Sequence, residues 1–376
     1  MKKIGIYIHI PFCVSKCKYC NFVSFVGKEN FIQDYLKCLV KEIVTKSKEV
    51  NNIVDTIYIG GGTPSCLPNG AISTLLDTIK THYKIDDNAE ISIECNPNSV
   101  DYTKAQEWYN SGINRVSVGL QSIKSSLLKL IGRVHTKQDY VNAINILHSV
   151  GFKNINTDVM IGLPKQKHSD VKNTLMAVIK QNVTHISCYS LILENNTPLY
   201  KEIKNKELKE LNEDKTINMY SFANKFLKKF GYNRYEVSNF ALNGYECKHN
   251  KNCWNMHEYL GFGVSAHGYF NNIRYSNVLT IEEYLKKITE CGNAIVEKET
   301  ETLEDKFEEY MMLGLRLKEG IDLNYVKKEF KCDLLKEKEN SIKKLTKLNL
   351  IEVKDNRLYL KDDGYYVLNA IIIELI

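Results

Sequence analysis

Short β-branched runs alternate with longer stretches of helical apolar spacing through the first 195 residues. Residues 4–10, 54–59, 89–94, 115–119, 154–160 and 185–193 read as six strands, with helices expected over 31–50 and 71–82. Strands at regular intervals with helical segments between them predict βαβ units and a parallel sheet. The unusual residues fall at the strand ends. Three cysteines follow the first strand, Gly60-Gly61-Gly62-Thr63-Pro64 follows the second, and Glu94, Gln121 and Asp158 close three others. In parallel α/β barrels the C-terminal rim of the strands carries the chemistry, so this placement predicts one shared site.

After Tyr200 the pattern changes. Residues 201–215 alternate in charge and are expected to be exposed, and 217–230 reads as an amphipathic helix stopped by Gly231. A strand is expected over 235–240, whereas 247–270, rich in His, Trp, Tyr and Gly, suggests no regular element. From about residue 299 the chain is helical and Lys/Glu-rich. Two short apolar runs, 351–353 and 357–360, flank Asp355-Asn356, a hairpin signal. This divides the chain into a barrel domain over 1–295, including an extension over 201–295, and a small winged-helix-like α+β domain over 296–376.

Composition narrows the picture. The net charge of +6 comes from 51 basic and 45 acidic residues, too even a balance to predict a nucleic-acid partner. The apolar start is broken by His9 and Pro11, unlike a secretion signal. The apolar run 365–376 contains Asn369 and Glu374 and is too short to span a bilayer. With 11 cysteines in a long chain of this kind, a reducing cytoplasm is expected rather than a disulfide framework.

Cys13, Cys17 and Cys20 are spaced C-x3-C-x2-C with no fourth cysteine after them. A closed zinc site wants four protein ligands, and a distant residue such as His9 could complete one. A four-iron, four-sulfur cluster held by three thiolates instead leaves one iron open. The spacing alone admits both readings.

The stretch Tyr7-Ile8-His9-Ile10-Pro11-Phe12-Cys13, with the cysteine triplet and its aromatic neighbours, resembles the radical S-adenosylmethionine family. The resemblance extends over nearly the whole chain. It implies a partial (β/α)6 TIM-like barrel, a [4Fe-4S] cluster on the three cysteines and one-electron cleavage of S-adenosylmethionine. It also implies S-adenosylmethionine contacts from Tyr7, Gly61, Gly62, Thr63, Glu94, Gln121, Arg133 and Asp158.

Within that family the chain is similar to the branch holding oxygen-independent coproporphyrinogen III oxidase and the HemW-type haem chaperones. The oxidase pattern carries a further cysteine where Phe22 stands here, and an extension ahead of the cluster strand, which here starts at residue 4. Both differences point to the chaperone. Cys247-Lys248-His249-Asn250-Lys251-Asn252-Cys253-Trp254 resembles the chaperone motif H-N-x-x-Y-W, with Cys253 in place of the tyrosine. The resemblance implies a haem contact at His249. It further implies haem delivery to an acceptor, expected to be a membrane respiratory haem protein, and an electron donor that sequence does not name. Porphyrinogen oxidation is the competing reading.

Overall fold

The computed structural model describes residues 2–376. Its centre is six parallel strands lying side by side in chain order: β1 (Lys3–Ile10), β2 (Ile53–Gly61), β3 (Lys84–Cys95), β4 (Arg115–Gln121), β5 (Asn154–Ile161) and β6 (His185–Ser190). Helices connect them: α1 (Ile32–Ser47), α2 (Ala71–His82), α3 (Tyr102–Asn110), α4 (Ser125–Leu130), α5 (Lys137–Val150) and α6 (His168–Ile179).

The strands are two-faced. Ile4, Ile6, Ile8 and Ile10 of β1, Ile91 and Ile93 of β3, and Val116, Val118 and Leu120 of β4 are buried in the main apolar core. The alternate positions are glycine or polar: Gly5, Tyr7 and His9; Thr56, Tyr58 and Gly60; Glu90, Ser92 and Glu94; Arg115, Ser117 and Gly119; Asn156 and Asp158; His185 and Ser187. Side chains two apart share a face, and the register sets these positions beside one another, with Tyr7 opposite Tyr58, Glu94 opposite Ser117, and Asp158 opposite Ser187. Parallel strands covered on both faces are ordinarily near-continuous apolar runs. Here the inner face is polar, and toward the C-terminal ends of the strands Glu94, Ser117, Gly119, Asp158 and Ser187 line a cavity.

The sheet continues past both edges of this half-barrel. After α7 (Pro198–Lys204) and α8 (Glu213–Lys229), the antiparallel pair β7 (Asn233–Arg234) and β8 (Asn239–Ala241) extends the β6 edge. Residues 235–240 are therefore mostly the turn of a hairpin, not the single strand expected there. The stretch 247–270 is also more regular than its composition suggests. It holds α9 (Lys248–Trp254), β9 (Tyr259–Phe262), which pairs in parallel with β1, and β10 (His267–Phe270). β11 (Ile273–Asn277), α10 (Ile281–Cys291) and β12 (Ile295–Thr300) complete that flank, giving one sheet of 12 strands. Within the charged stretch beyond residue 200, α7 is anchored by buried Leu199, whose amide donates to Lys18 O at 2.9 Å.

A second apolar core gathers α11 (Leu303–Gly314), β13 (Ile321–Asp322), α12 (Leu323–Glu329), α13 (Leu334–Glu337), α14 (Glu339–Lys347), β14 (Ile351–Lys354), β15 (Arg357–Leu360) and α15 (Leu368–Leu375). Asp355 and Asn356 take left-handed φ values of 51° and 57° and join β14 to β15, as a two-residue hairpin turn requires. The helices followed by this hairpin form the expected small α+β unit. The expected boundary at residue 296 falls inside β12, which pairs with β11 in the barrel sheet; the second core starts in α11. The apolar end of the chain is α15, packed in that core. Among the described residues no helix is long and apolar enough to cross a membrane.

Candidate functional site

The cysteine loop leaves β1 and is pinned at its base. Phe12 is buried and bridges Phe25, the Cys13 amide donates to Phe25 O at 3.0 Å, and the Phe25 amide donates to Pro11 O at 2.7 Å. Farther round, the Lys18 amide donates to Ile131 O at 2.9 Å. The three thiols of Cys13, Cys17 and Cys20 are free, half-buried and line one cavity of about 460 Å³. Burial pushes the Cys17 and Cys20 thiols up, and the Arg133 guanidinium pulls Cys17 back down.

The residues present fit a cluster better than a closed zinc site. His9 has no nitrogen free: Nε2 donates to Val23 O at 2.8 Å, so Nδ1 is the acceptor for the Tyr7 hydroxyl at 2.9 Å. The β2 loop is cut to fit against the sulfurs. A Cβ on Gly62 would stand 2.7 Å from Phe12 O and 3.1 Å from Cys13 Sγ. Gly61, at φ +107°, has the His9 ring where a Cβ would go, so only glycine fits there.

The same cavity is walled by Thr63, Glu94, Asn96, Ser117, Gln121, Arg133, Asp158 and Tyr189, together with Gly61 and Gly62. Glu94 accepts from Tyr58 OH at 2.7 Å and from the Gly61 amide at 3.3 Å. Burial, with the charge of Asp158 adding to it, raises Glu94 to about 7 against those hydrogen bonds. Burial also raises Asp158, although Asn156 Nδ2 donates to it at 2.8 Å. Asn96 donates to Thr63 Oγ1 at 3.1 Å and accepts from Arg133 Nη1, while Arg133 Nη2 donates to Tyr19 OH at 3.1 Å. Arg133 Nε is buried with no partner among the described residues. Gln121 sits at a register shift in β4 with φ 65° and accepts from Tyr189 OH at 3.0 Å. Three thiols, one arginine and two carboxylates on one cavity can hold an electron-rich cluster beside a ligand carrying an ammonium, a carboxylate and hydroxyls.

Two expected site residues do not line the cavity. Tyr7 points into the barrel, its hydroxyl on His9 and its ring 6.4 Å from that of Tyr58. His249 lies on α9, buried, with Nδ1 2.9 Å from Thr56 Oγ1 and its ring stacked on Tyr58. Sequence reasoning passed over Tyr58, Asn96 and Tyr189. Each had a signal: Tyr58 and Tyr189 are inner-face positions of their strands, and Asn96 is two residues past Glu94.

The chain matches the Radical SAM superfamily over residues 7–178 and the HemN C-terminal domain over residues 302–367. It is 39% identical over 347 residues to heme chaperone HemW of Buchnera aphidicola subsp. Schizaphis graminum, covering 87% of this chain and 89% of that one. It is 34% identical over 365 residues to heme chaperone HemW of Lactococcus lactis, covering 97% and 95%. Among solved structures, coproporphyrinogen III oxidase (HemN) from Escherichia coli superposes with a TM-score of 0.87 over 100% of this chain and 90% of that one, at 22% identity; that likeness speaks for the fold. Fold and cavity together define a radical S-adenosylmethionine protein, whose cofactors are a [4Fe-4S] cluster and S-adenosylmethionine. The near-full-length relatives place it more narrowly: the chain belongs to the HemW heme chaperone family.

Proposed function

We propose that this protein binds haem and passes it to an acceptor protein, with a cluster on Cys13, Cys17 and Cys20 and S-adenosylmethionine in the adjoining cavity. The observation that carries the reading is the near-full-length likeness to two heme chaperones at 39% and 34% identity. When bound, a reduced cluster beside a sulfonium supplies one-electron chemistry. The chain's own residues bind, orient and exclude water. The Gly61–Thr63 edge offers backbone and hydroxyl groups close to the cysteine loop. Arg133 offers a guanidinium charge at the cavity wall to a carboxylate, and Glu94 and Asp158 accept from ammonium or hydroxyl groups. Gln121 offers its amide, held by Tyr189, and Tyr7 acts from behind, through His9 and Tyr58. The acceptor we propose is a membrane respiratory haem protein, and the compartment the cytoplasm.

Oxidative decarboxylation of coproporphyrinogen III is the second reading, favoured by the fold shared with the oxidase. Phe22, which stands at the cavity lining where the oxidase pattern has a cysteine, argues against it. One anaerobically reconstituted sample separates the two. Haem uptake followed by absorbance, with no coproporphyrinogen III conversion by chromatography, is the expected result. Conversion without haem uptake would reverse the assignment.

A further inference from the structure

We infer that His249 is a positioning residue, which holds Tyr58 from the closed end of the barrel and through it sets the Glu94 carboxylate at the cavity. The inference rests on the proposal that this cavity takes S-adenosylmethionine.

Glu90, on the inner face of β3 and two pleat repeats below Glu94, accepts the backbone amides of Lys248 at 3.0 Å and His249 at 3.1 Å, and the Cys247 thiol at 3.4 Å. Asn252 adds a bond to Asp55 at 3.2 Å. These contacts dock α9 against the N-terminal ends of β2 and β3, away from the rim where the cysteines lie. The His249 ring then enters the barrel. Gly5 makes room for it: a Cβ there would lie 3.4 Å from His249 Cε1 and 3.0 Å from Thr56 Oγ1. Inside, the ring stacks on Tyr58 with centroids 5.1 Å apart and planes at 25°, and Tyr7 stacks near Tyr58 at 6.4 Å and 25°. Tyr58 is thus flanked by two rings that fix its rotation. Its hydroxyl donates to Glu94 Oε1 at 2.7 Å. With Gly61 holding Oε2, the carboxylate plane is set by two donors, one of which depends on His249.

The ring is already committed inside the barrel. Nδ1 is engaged by Thr56, one ring face is covered by Tyr58, and the side chain is buried. The other side of α9 meets the C-terminal unit instead. Lys251 pairs with Glu319 at 3.4 Å, and the Arg316 guanidinium lies 5.7 Å from the Trp254 ring. The helix that carries His249 is therefore held from both domains.

The test uses the full chain, reconstituted anaerobically, with S-adenosylmethionine affinity and haem uptake measured on each variant. Glu94→Gln reports on the cavity itself. Tyr58→Phe and His249→Gln should each weaken S-adenosylmethionine binding by about tenfold, the scale of one hydrogen bond to a charged group. The double variant should be no weaker than Tyr58→Phe alone, because both changes act on one contact. His249→Phe keeps the stacked ring and should stay within about twofold of the parent, with haem uptake and iron content unchanged throughout. A role confined to holding α9 gives the reverse order, because Gln keeps the bond to Thr56 and Phe loses it; that order overturns the inference. So does loss of haem uptake in His249→Gln with S-adenosylmethionine affinity intact, which would make His249 a haem ligand. If Glu94→Gln binds S-adenosylmethionine normally, the cavity reading falls and takes this inference with it. If Glu94→Gln binds weakly and His249→Gln normally, the inference alone falls.

Discussion

Glu94 carries opposing demands in a small space. Two donors favour its carboxylate form, yet burial and the nearby Asp158 charge win and raise it to about 7. A ligand that needs an acceptor there binds the ionised form, so affinity should fall as pH drops through 7. Between pH 8 and pH 6 we expect S-adenosylmethionine affinity of the reconstituted protein to fall by about tenfold, because the ionised fraction of a carboxyl at about 7 drops from roughly nine-tenths to one-tenth. Glu94→Gln should flatten the profile; an unchanged slope in that variant would assign the titration elsewhere. Gly62 allows an independent test at the cysteine loop. An added Cβ meets Phe12 O, Ile10 O and Cys13 Sγ, and two of these are backbone atoms that do not swing aside. Gly62→Ala should reconstitute with clearly less iron and sulfide than the parent, read by metal analysis. At this scale the sequence was informative where residue type is restrictive. Cysteines, a glycine triplet and acids at strand ends stand out from any background. Tyr58 and Asn96 did not, because a tyrosine in a strand and an asparagine before a proline are ordinary until their partners are known.

The elements of the half-barrel were legible because each strand is a local pattern bounded by turn residues; α2 spans the expected 71–82. The failures lie where local pattern and tertiary pairing part company. β7 and β8 are two and three residues long, too short for periodicity to register. β9 is fixed by pairing with β1, some 250 residues earlier, with Gly5 opposite Tyr259, and nothing in 259–262 announces that partner. Its Gly261 records the cost of the arrangement: β10 crosses so close that a Cβ would fall 1.9 Å from His267 O. Since backbone must move, Gly261→Ala should destabilise the protein by about 3 kcal/mol, at the upper end of overpacking effects. Urea unfolding reads this directly, and a loss under about 0.5 kcal/mol, the ordinary surface range, would mean that β9 and β10 are less tightly crossed than they stand here.

On the scale of the whole molecule, the C-terminal unit has its own core but also shares a boundary with the β6 edge. Arg234 of β7 pairs with Asp362 at 2.6 Å and lies over the Tyr365 ring, and Glu236 bridges Leu317 by its backbone. Glu236 is fully buried in this boundary. Burial raises its carboxyl from the usual 4.5 to about 7, against the amides of Ser238 and Asn239 and the Arg234 guanidinium. The sign of the consequence follows from proton counting. Between about pH 4.5 and 7 the folded chain keeps a proton that the unfolded chain has lost, so stability declines as pH rises across that window and levels off above it. Glu236→Gln cannot lose a proton and should remove that decline, worth on the order of 1–3 kcal/mol by the usual conversion. The comparison is between the melting temperatures of parent and variant at pH 5 and at pH 8. The parent should lose more between the two pH values than the variant does; equal losses would show that Glu236 stays ionised in the folded chain. Arg234→Met tests the partner from the other side: without the guanidinium the carboxyl rises further, so in the same melting series the declining window should extend to higher pH than in the parent, and an unchanged window would remove Arg234 from the account.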